Sequence, residues 1–190
     1  VKRLRDRRSV RGELNLAGSR LDSEEWDFGL QDLRGRLAFD ELDFRARGIR
    51  GAFAGQPVSL EVTTQGAAAR RETHVSMTGE LSAASVLDGR APALKPYIRG
   101  RSGWEVDVHI PHRRTPDRSV AVFLRSDLQG TAVELPCPFS KLAAQTQPFF
   151  LDLRPEADET QVRLQFGERL NGALRLGGEV KPVDNEIELG

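Results

Sequence analysis

The chain has 190 residues, and its 28 lysines and arginines balance 28 aspartates and glutamates, so the formal net charge is zero. A neutral chain has no electrostatic attraction to nucleic acid or anionic membranes, and we expect no nucleic-acid partner. The single cysteine, Cys137, excludes an intrachain disulfide. No apolar run reaches the length of a membrane helix, and no signal-peptide pattern is present.

Period-two alternation of apolar and polar residues is the dominant pattern, and it predicts β-strands. In chain order the alternating segments are ELNL (13–16), WDFGL (26–30), LRGRLAF (33–39), LDF (42–44), VSLEV (58–62), RSGWEVDVHI (101–110), VAVFL (120–124), LDL (151–153), VRLQF (162–166) and IEL (187–189). Glycine or proline falls between most of them, which is typical of hairpins in an antiparallel meander. The separating residues are Gly18, Gly48, Gly51, Gly55, Pro57, Gly66, Gly79, Pro111, Pro116, Gly130, Pro155, Gly167, Gly172 and Gly177.

Helix signals are few and short. Ser82 is placed to start a helix that ends by Leu87, because Gly89 and Pro92 follow. A second short helix or turn is expected over residues 91–97, and one more turn over FSKLAAQ (139–145).

These patterns predict an all-β fold: a curled antiparallel meander sheet, groove-like and built of repeating β units, with one or two short helices. An antiparallel sheet with one apolar face must cover that face. A closed sandwich or barrel covers it with its own side chains, whereas an open groove leaves it for a ligand such as a lipid acyl chain. Periodicity alone does not choose between the two.

Candidate residues for the wall of such a groove are the apolar members of the alternating segments, on the assumption that the more hydrophobic face of each strand turns inward. They are Leu37, Phe39, Val58, Leu60, Val62, Trp104, Val106, Val108, Ile110, Val120, Val122, Leu124, Val162, Leu164 and Phe166.

Catalytic and metal chemistry are not expected. The three histidines, His74, His109 and His112, raise a metal hypothesis, and His109 and His112 have a spacing that metal sites use. However, Pro111 separates these two and no cluster of Cys, Asp or Glu flanks them at ligand spacing, so a solvated face is the favoured interpretation for His109. Ser126 and Asp127 precede a glycine in a strand-ending turn, and no GxSxG elbow is present. Cys137 lies between two prolines, where a small buried filler is expected rather than a nucleophile. We expect no enzyme activity, no metal and no cofactor.

Three further features leave alternatives open. The basic loop HRRTPDR (112–118) is either a solvated hairpin or a contact for a lipid phosphate. Lys141 either secures a turn, which we favour, or pairs with an anion. Trp104 either lines a groove or anchors the packing of the sheet.

Several stretches taken together resemble a known family. The most specific is the combination SDLQG (126–130) with ELPCPFSK (134–141), supported by GQPVSLEV (55–62) and SGWEVDVHIP (102–111). Their order is similar to that in the YhdP-like branch of the AsmA-like (AsmA/TamB-type) proteins of Gram-negative bacteria. The resemblance covers roughly residues 30–190, and residues 1–29 are compatible with preceding strands.

The resemblance implies a non-enzymatic role in lipid transport within the cell envelope, contributing to outer-membrane biogenesis. Proteins of this kind are anchored in the inner membrane and extend through the periplasm as an elongated, apolar-lined β-groove that carries phospholipid. Because the chain starts at Val1 and alternation still runs at its last residues, residues 1–190 are expected to be a single section of a longer protein. Its partners would be phospholipid acyl chains and neighbouring sections of the same chain. The alternatives are a β-sandwich binding or scaffolding module and, less favoured, an envelope hydrolase.

Overall fold

The computed structural model describes residues 10–23, 28–87, 92–113, 115, 118–137, 139–156, 159–168 and 170–177. They form eleven β-strands, a five-residue α-helix and two 3₁₀ turns, at residues 68–70 and 92–97. The elements are β1 (Arg11–Ser23), β2 (Phe28–Asp40), β3 (Phe44–Phe53), β4 (Gln56–Gln65), β5 (Glu72–Ser82), α1 (Ala83–Leu87), β6 (Ile98–Pro111), β7 (Ala121–Ser126), β8 (Thr131–Val133), β9 (Phe149–Pro155), β10 (Glu159–Phe166) and β11 (Leu170–Gly177).

The strands form one antiparallel meander. Each strand from β1 to β7 pairs with the next, β7 then pairs with β9, and β9 to β11 continue the sheet. The short β8 pairs instead with the first residues of β6, below the point at which the β6–β7 ladder ends. Among the described residues, β1 and β11 do not pair with each other, so the sheet is not closed. This confirms the predicted all-β meander and shows that β1 belongs to the same sheet.

One face of the sheet holds the core. Its buried side chains cluster on β2 to β5, and Leu30, Leu33, Ile49, Val58, Leu60 and Met77 are each 2–7% exposed. No second sheet lies over this face in the part of the chain that the structure describes. The burial therefore comes from curling of the single sheet, with α1 packed at one end against β5 and β6. A closed sandwich, the alternative architecture, is not what these residues form.

Most of the strand predictions are confirmed, and the exceptions concern glycine. Strands β1, β3, β5 and β11 contain Gly18, Gly48, Gly51, Gly79, Gly172 and Gly177, which were expected between strands. The prediction is confirmed for Gly55, Gly66, Gly130 and Gly167, which do lie between strands. An added Cβ at Gly51 would collide with Leu33 and the carbonyl of Gln31, so glycine here permits close packing and does not mark a turn. The actual turn between β3 and β4 is at Ala54–Gly55, where both residues have positive φ.

Three further strands escape the sequence pattern, two of them for the same reason. β5 and β11 were not predicted, because Gly79 and Gly172 occupy positions that alternation reserves for apolar residues. The three-residue β8 is too short to show a period. The segment at 42–44 was placed wrongly, since β3 begins at Phe44 and Asp40 accepts the amide of Asp43 in the preceding turn.

The first two helical predictions are confirmed by α1 and by the 3₁₀ turn at 92–97. The third is confirmed in its second half: Lys141 makes an isolated β-bridge with Val133, and one hydrogen-bonded turn, from Leu142 to Gln145, follows it. The predicted strand at 187–189 and residues 26–27 lie outside the described residues.

Candidate functional site: the apolar face of the sheet

The candidate wall residues share one face of the sheet, called here the apolar face. Directly paired residues of antiparallel strands point to the same side, so the register identifies its members. One row crosses six strands, from Leu60 through Met77, Val106, Leu124 and Leu151 to Leu164. A second row crosses seven strands, from Val62 through Val75, Val108, Val122, Leu153 and Val162 to Leu174.

The remaining predicted wall residues extend these rows. Val58 and Trp104 lie on the side of the first row toward α1, and Ile110 lies beyond Val108 along β6. Leu37 pairs with Ala46, which in turn pairs with Val62 of the second row. Phe39 and Phe166 are each two residues beyond Leu37 and Leu164 on the same face of their strands. Val120 is buried directly before β7. Sequence alternation therefore placed these residues on a common side.

Sequence reasoning missed several members of this face. Ile49 and Phe53 were missed because register shifts between β3 and its neighbours break the alternation. Met77 and Leu81 alternate with Gly79, so the period was present but weakened by the missing side chain. Leu174 and Leu176 were missed with β11, of which they form the apolar face.

Cover over the apolar face is uneven along the sheet. The core cluster ends at β6, where Trp104 and Val106 pack against it half-buried. Leu124, Leu151 and Leu164 remain half-buried, and on β11 Leu174 and Leu176 are 44% and 56% exposed. The apolar face is thus filled by its own side chains at β2 to β5, is still buried at Val122 and Val162 (each 7% exposed), and is most exposed on β11.

Trp104 lies at the boundary between these two regions. Its ring packs edge-on against Phe149 with centroids 5.4 Å apart, and its indole Nε1 is buried with no hydrogen-bond acceptor among the residues that the structure describes. Both residues border a cavity of about 700 Å³ at the end of the β6–β7 ladder, which Gly103, Asp127 and Pro148 also line. Trp104 therefore packs the sheet and borders an open space at the same time.

Lys141 has a structural role. Its side chain is 4% exposed, and its ammonium donates to the carbonyls of Leu128, Thr131 and Leu142 at 2.7, 2.7 and 2.9 Å. All three ammonium hydrogens thereby have acceptors, although burial still lowers the pKa of Lys141. The family-like combination SDLQG–ELPCPFSK is consequently a turn that this lysine holds together.

Ser126 and Asp127 belong to the same turn. The Ser126 hydroxyl donates to the carbonyl of Gly103 at 2.7 Å and accepts the amide of Leu128 at 3.0 Å. Asp127 accepts the amide of Gln129 at 3.0 Å. These bonds match the predicted strand-ending turn. The prediction for Cys137 is wrong: it is exposed rather than buried.

The described part of the basic loop is tied to the protein itself. Arg118 donates to the carbonyls of Ala69 and Arg70 at 2.6 and 3.2 Å and pairs with Glu72 at 3.3 Å. His112 shares a hydrogen bond of 2.9 Å with the Thr73 hydroxyl. These contacts favour a structural hairpin over a phosphate contact for both residues.

The prediction of a solvated His109 is wrong, since its ring is half-buried. It stacks on His74 with centroids 4.0 Å apart and meets Phe123 edge-on at 5.0 Å. Burial lowers the pKa of His109, and the 2.6 Å hydrogen bond from His74 lowers the pKa of Glu72. His74, His109 and Glu72 lie on the face opposite the apolar face. His112 instead bonds to Thr73, so the two histidines of the HIPH segment do not come together. No local signal links His74 with His109, which only strand register brings together.

The fold and this face define an all-β protein built on a single open sheet with an apolar side. A family model described as YhdP protein matches residues 3–189, and the chain belongs to the YhdP family. It is 23% identical over 138 residues to the "Intermembrane phospholipid transporter YhdP" of Escherichia coli (strain K12). That match covers 72% of this chain and 11% of the relative, so the chain spans a small part of the relative's length. No solved structure matches the chain significantly. Within the described residues, no helix has the length and apolarity needed to cross a membrane.

Proposed function

We propose that this chain is a section of a phospholipid transport conduit between membranes, in which the apolar face receives lipid acyl chains. The observation that carries the proposal is the pair of apolar rows, which cross six and seven strands of a sheet without a covering layer among the described residues. Membership of the YhdP family and the similarity to the intermembrane phospholipid transporter of Escherichia coli support the proposal.

The dimensions of the face suit an acyl chain. Strands in a sheet are about 4.8 Å apart, so the five steps between Leu60 and Leu164 span roughly 24 Å. A hydrocarbon tail is of similar length and lies along such a row without any polar contact. Covering about 400 Å² of acyl surface contributes roughly 10 kcal/mol before ordering costs. An uninterrupted apolar row therefore needs no specific head-group site to hold a tail.

The setting of this section is part of the same proposal. We place it in the periplasm, in a protein anchored in the inner membrane, with neighbouring sections of the same chain extending the apolar face on both sides. Among the described residues the outer edges of β1 and β11 have no partner strand, which supports such continuation, because exposed strand edges are ready to pair. We assign it no catalytic role, since the hydroxyl of Ser126 is occupied inside a turn.

A photo-crosslinking amino acid at Val106, in the protein as cells make it, tests the proposal. Val106 lies in the first apolar row, so we expect it to capture phospholipid, identified by mass spectrometry of the crosslinked band. Glu105 is the matched control, because it is the adjacent residue of β6 and is exposed on the opposite face. Absence of lipid at Val106, or equal capture at both positions, contradicts the conduit.

A further inference from the structure

We propose that Glu72, His74 and His109 form a binding site for a divalent transition metal of the Zn²⁺ type, on the face of the sheet opposite the apolar face. One donor atom from each of these side chains lies within 4.8 Å of the other two. The inference goes beyond lipid transport, because it concerns a different face and different chemistry.

Strand register brings the three side chains together. His74 on β5 lies directly opposite His109 on β6, and Glu72 is two residues before His74 on the same side of β5. All three are half-buried in a paired region of the sheet, so their backbones are fixed. Fixed backbones reduce the conformational entropy that a metal must remove to assemble its ligands.

The donor set is the one that zinc prefers. Two imidazole nitrogens and one carboxylate oxygen are typical ligands of Zn²⁺, with a fourth position left for water or an exogenous ligand. The two rings now stack with 26° between their planes, so one ring must rotate for both nitrogens to face a common ion. The ion then takes the place of the proton in the 2.6 Å contact between His74 and Glu72.

Neighbouring side chains contact two of the three proposed ligands and help to orient them. Arg118 contacts Glu72 Oε2 at 3.3 Å, whereas Oε1 is the oxygen that faces His74. Phe123 packs edge-on against His109 and limits its rotation. A cavity of about 400 Å³ borders Glu72, His109, Arg118 and Arg154. It offers room for a water molecule or an anion as the fourth ligand.

Zinc titration of the purified full chain by calorimetry tests the proposal. We expect one equivalent to bind, with His74→Ala and His109→Ala each weakening binding by about tenfold or more. His112→Ala is the matched control, because His112 is the third and last histidine of the chain and bonds Thr73 instead. Undiminished binding in His112→Ala, together with loss in the other two variants, supports the site.

Two further measurements keep the test decisive if an alanine variant folds poorly. Glu72→Gln keeps the size of the side chain, and we expect it to weaken zinc binding while the circular dichroism spectrum is unchanged. Zinc should also raise the melting temperature of the wild type and not that of Glu72→Gln, because a ligand stabilises the state it binds. No binding by the wild type, or the same affinity in every variant, overturns the proposal.

Discussion

At the residue scale, Lys141 shows how a buried charge is accommodated. Its three hydrogen bonds go to carbonyls of Leu128, Thr131 and Leu142, which lie in the turn between β7 and β8, in β8 and beside the lysine itself. A buried ammonium is tolerated only when its donors are satisfied, and a turn whose carbonyls point inward needs such a donor. The burial of Lys141 therefore requires these carbonyls, and the conformation of the turn requires the Lys141 ammonium.

We predict that Lys141→Met lowers the free energy of unfolding by about 2–4 kcal/mol, because it leaves buried carbonyls without donors. Leu142→Ala is the control, since this neighbouring side chain is 70% exposed and its loss should change stability by less than about 0.5 kcal/mol. Urea denaturation followed by tryptophan fluorescence measures both. Equal stabilities of the two variants would contradict the structural role of Lys141.

The lowered pKa of Lys141 also predicts a pH dependence. The folded state releases this proton at lower pH than the unfolded chain, whose lysine pKa is near 10.5. Between those two pKa values the unfolded state binds more protons, so stability rises with pH. The stability of the wild type relative to Lys141→Met should therefore increase as the pH approaches 10.5 from neutral. Urea midpoints measured across this range test the sign.

At the element scale, the junction of β6 and β8 depends on close backbone approach. Gly100 and Gly130 have φ of 102° and 91°, a region that side chains disfavour. An added Cβ on Gly100 would meet the carbonyl of Gly130, and one on Gly130 would meet the carbonyl of Arg101. These glycines allow β8 to pair with the start of β6 where β7 has ended.

We predict that Gly130→Ala destabilises the protein by about 2 kcal/mol or more, through strain at positive φ and contact with the backbone. Gly103→Ala is the matched control on β6, where an added Cβ meets nothing within 4 Å. It should be neutral or slightly stabilising, since alanine restricts the unfolded chain more than glycine does. Thermal unfolding compares the two, and similar losses would show that close approach is not the cause.

At the scale of the whole molecule, an apolar face that is filled at β2 to β5 and most exposed on β11 is the main feature. Contiguous apolar surface is unfavourable in water unless something covers it. In the proposed conduit the hydrocarbon of a lipid covers this surface. Substitutions on the two faces of one strand should then differ in their effect on bound lipid. β11 offers the clearest comparison, because both of its sides are exposed and substitution there does not open the core.

Leu174→Glu places a charge on the apolar face, and Ala173→Glu places the same charge on the opposite face of the same strand, across from Arg163. We expect Leu174→Glu to reduce the phospholipid that co-purifies with the protein by about half or more, because a carboxylate is costly beside hydrocarbon. Ala173→Glu should leave it unchanged. Lipid extraction and mass spectrometry give the amounts, and equal lipid in both variants would argue against occupancy of this face.

The sequence by itself determined the class of fold and part of the apolar face. Period-two alternation survives in any antiparallel sheet, so Val106, Leu124 and Leu164 could be assigned to one side before their strands were paired. Alternation failed where a glycine replaced a side chain, as at Gly79, or where a register shift intervened, as before Ile49.

Tertiary structure alone decided what depends on register and curvature. His74 and His109 are 35 positions apart and meet only because β5 pairs with β6 in one register. Lys141 is buried because three carbonyls converge on it, which no spacing in the chain encodes. An open sheet and a closed sandwich have the same alternating sequence pattern. The period of two determines on which face of the sheet a side chain lies, whereas the curvature and pairing of the strands determine what packs against that face.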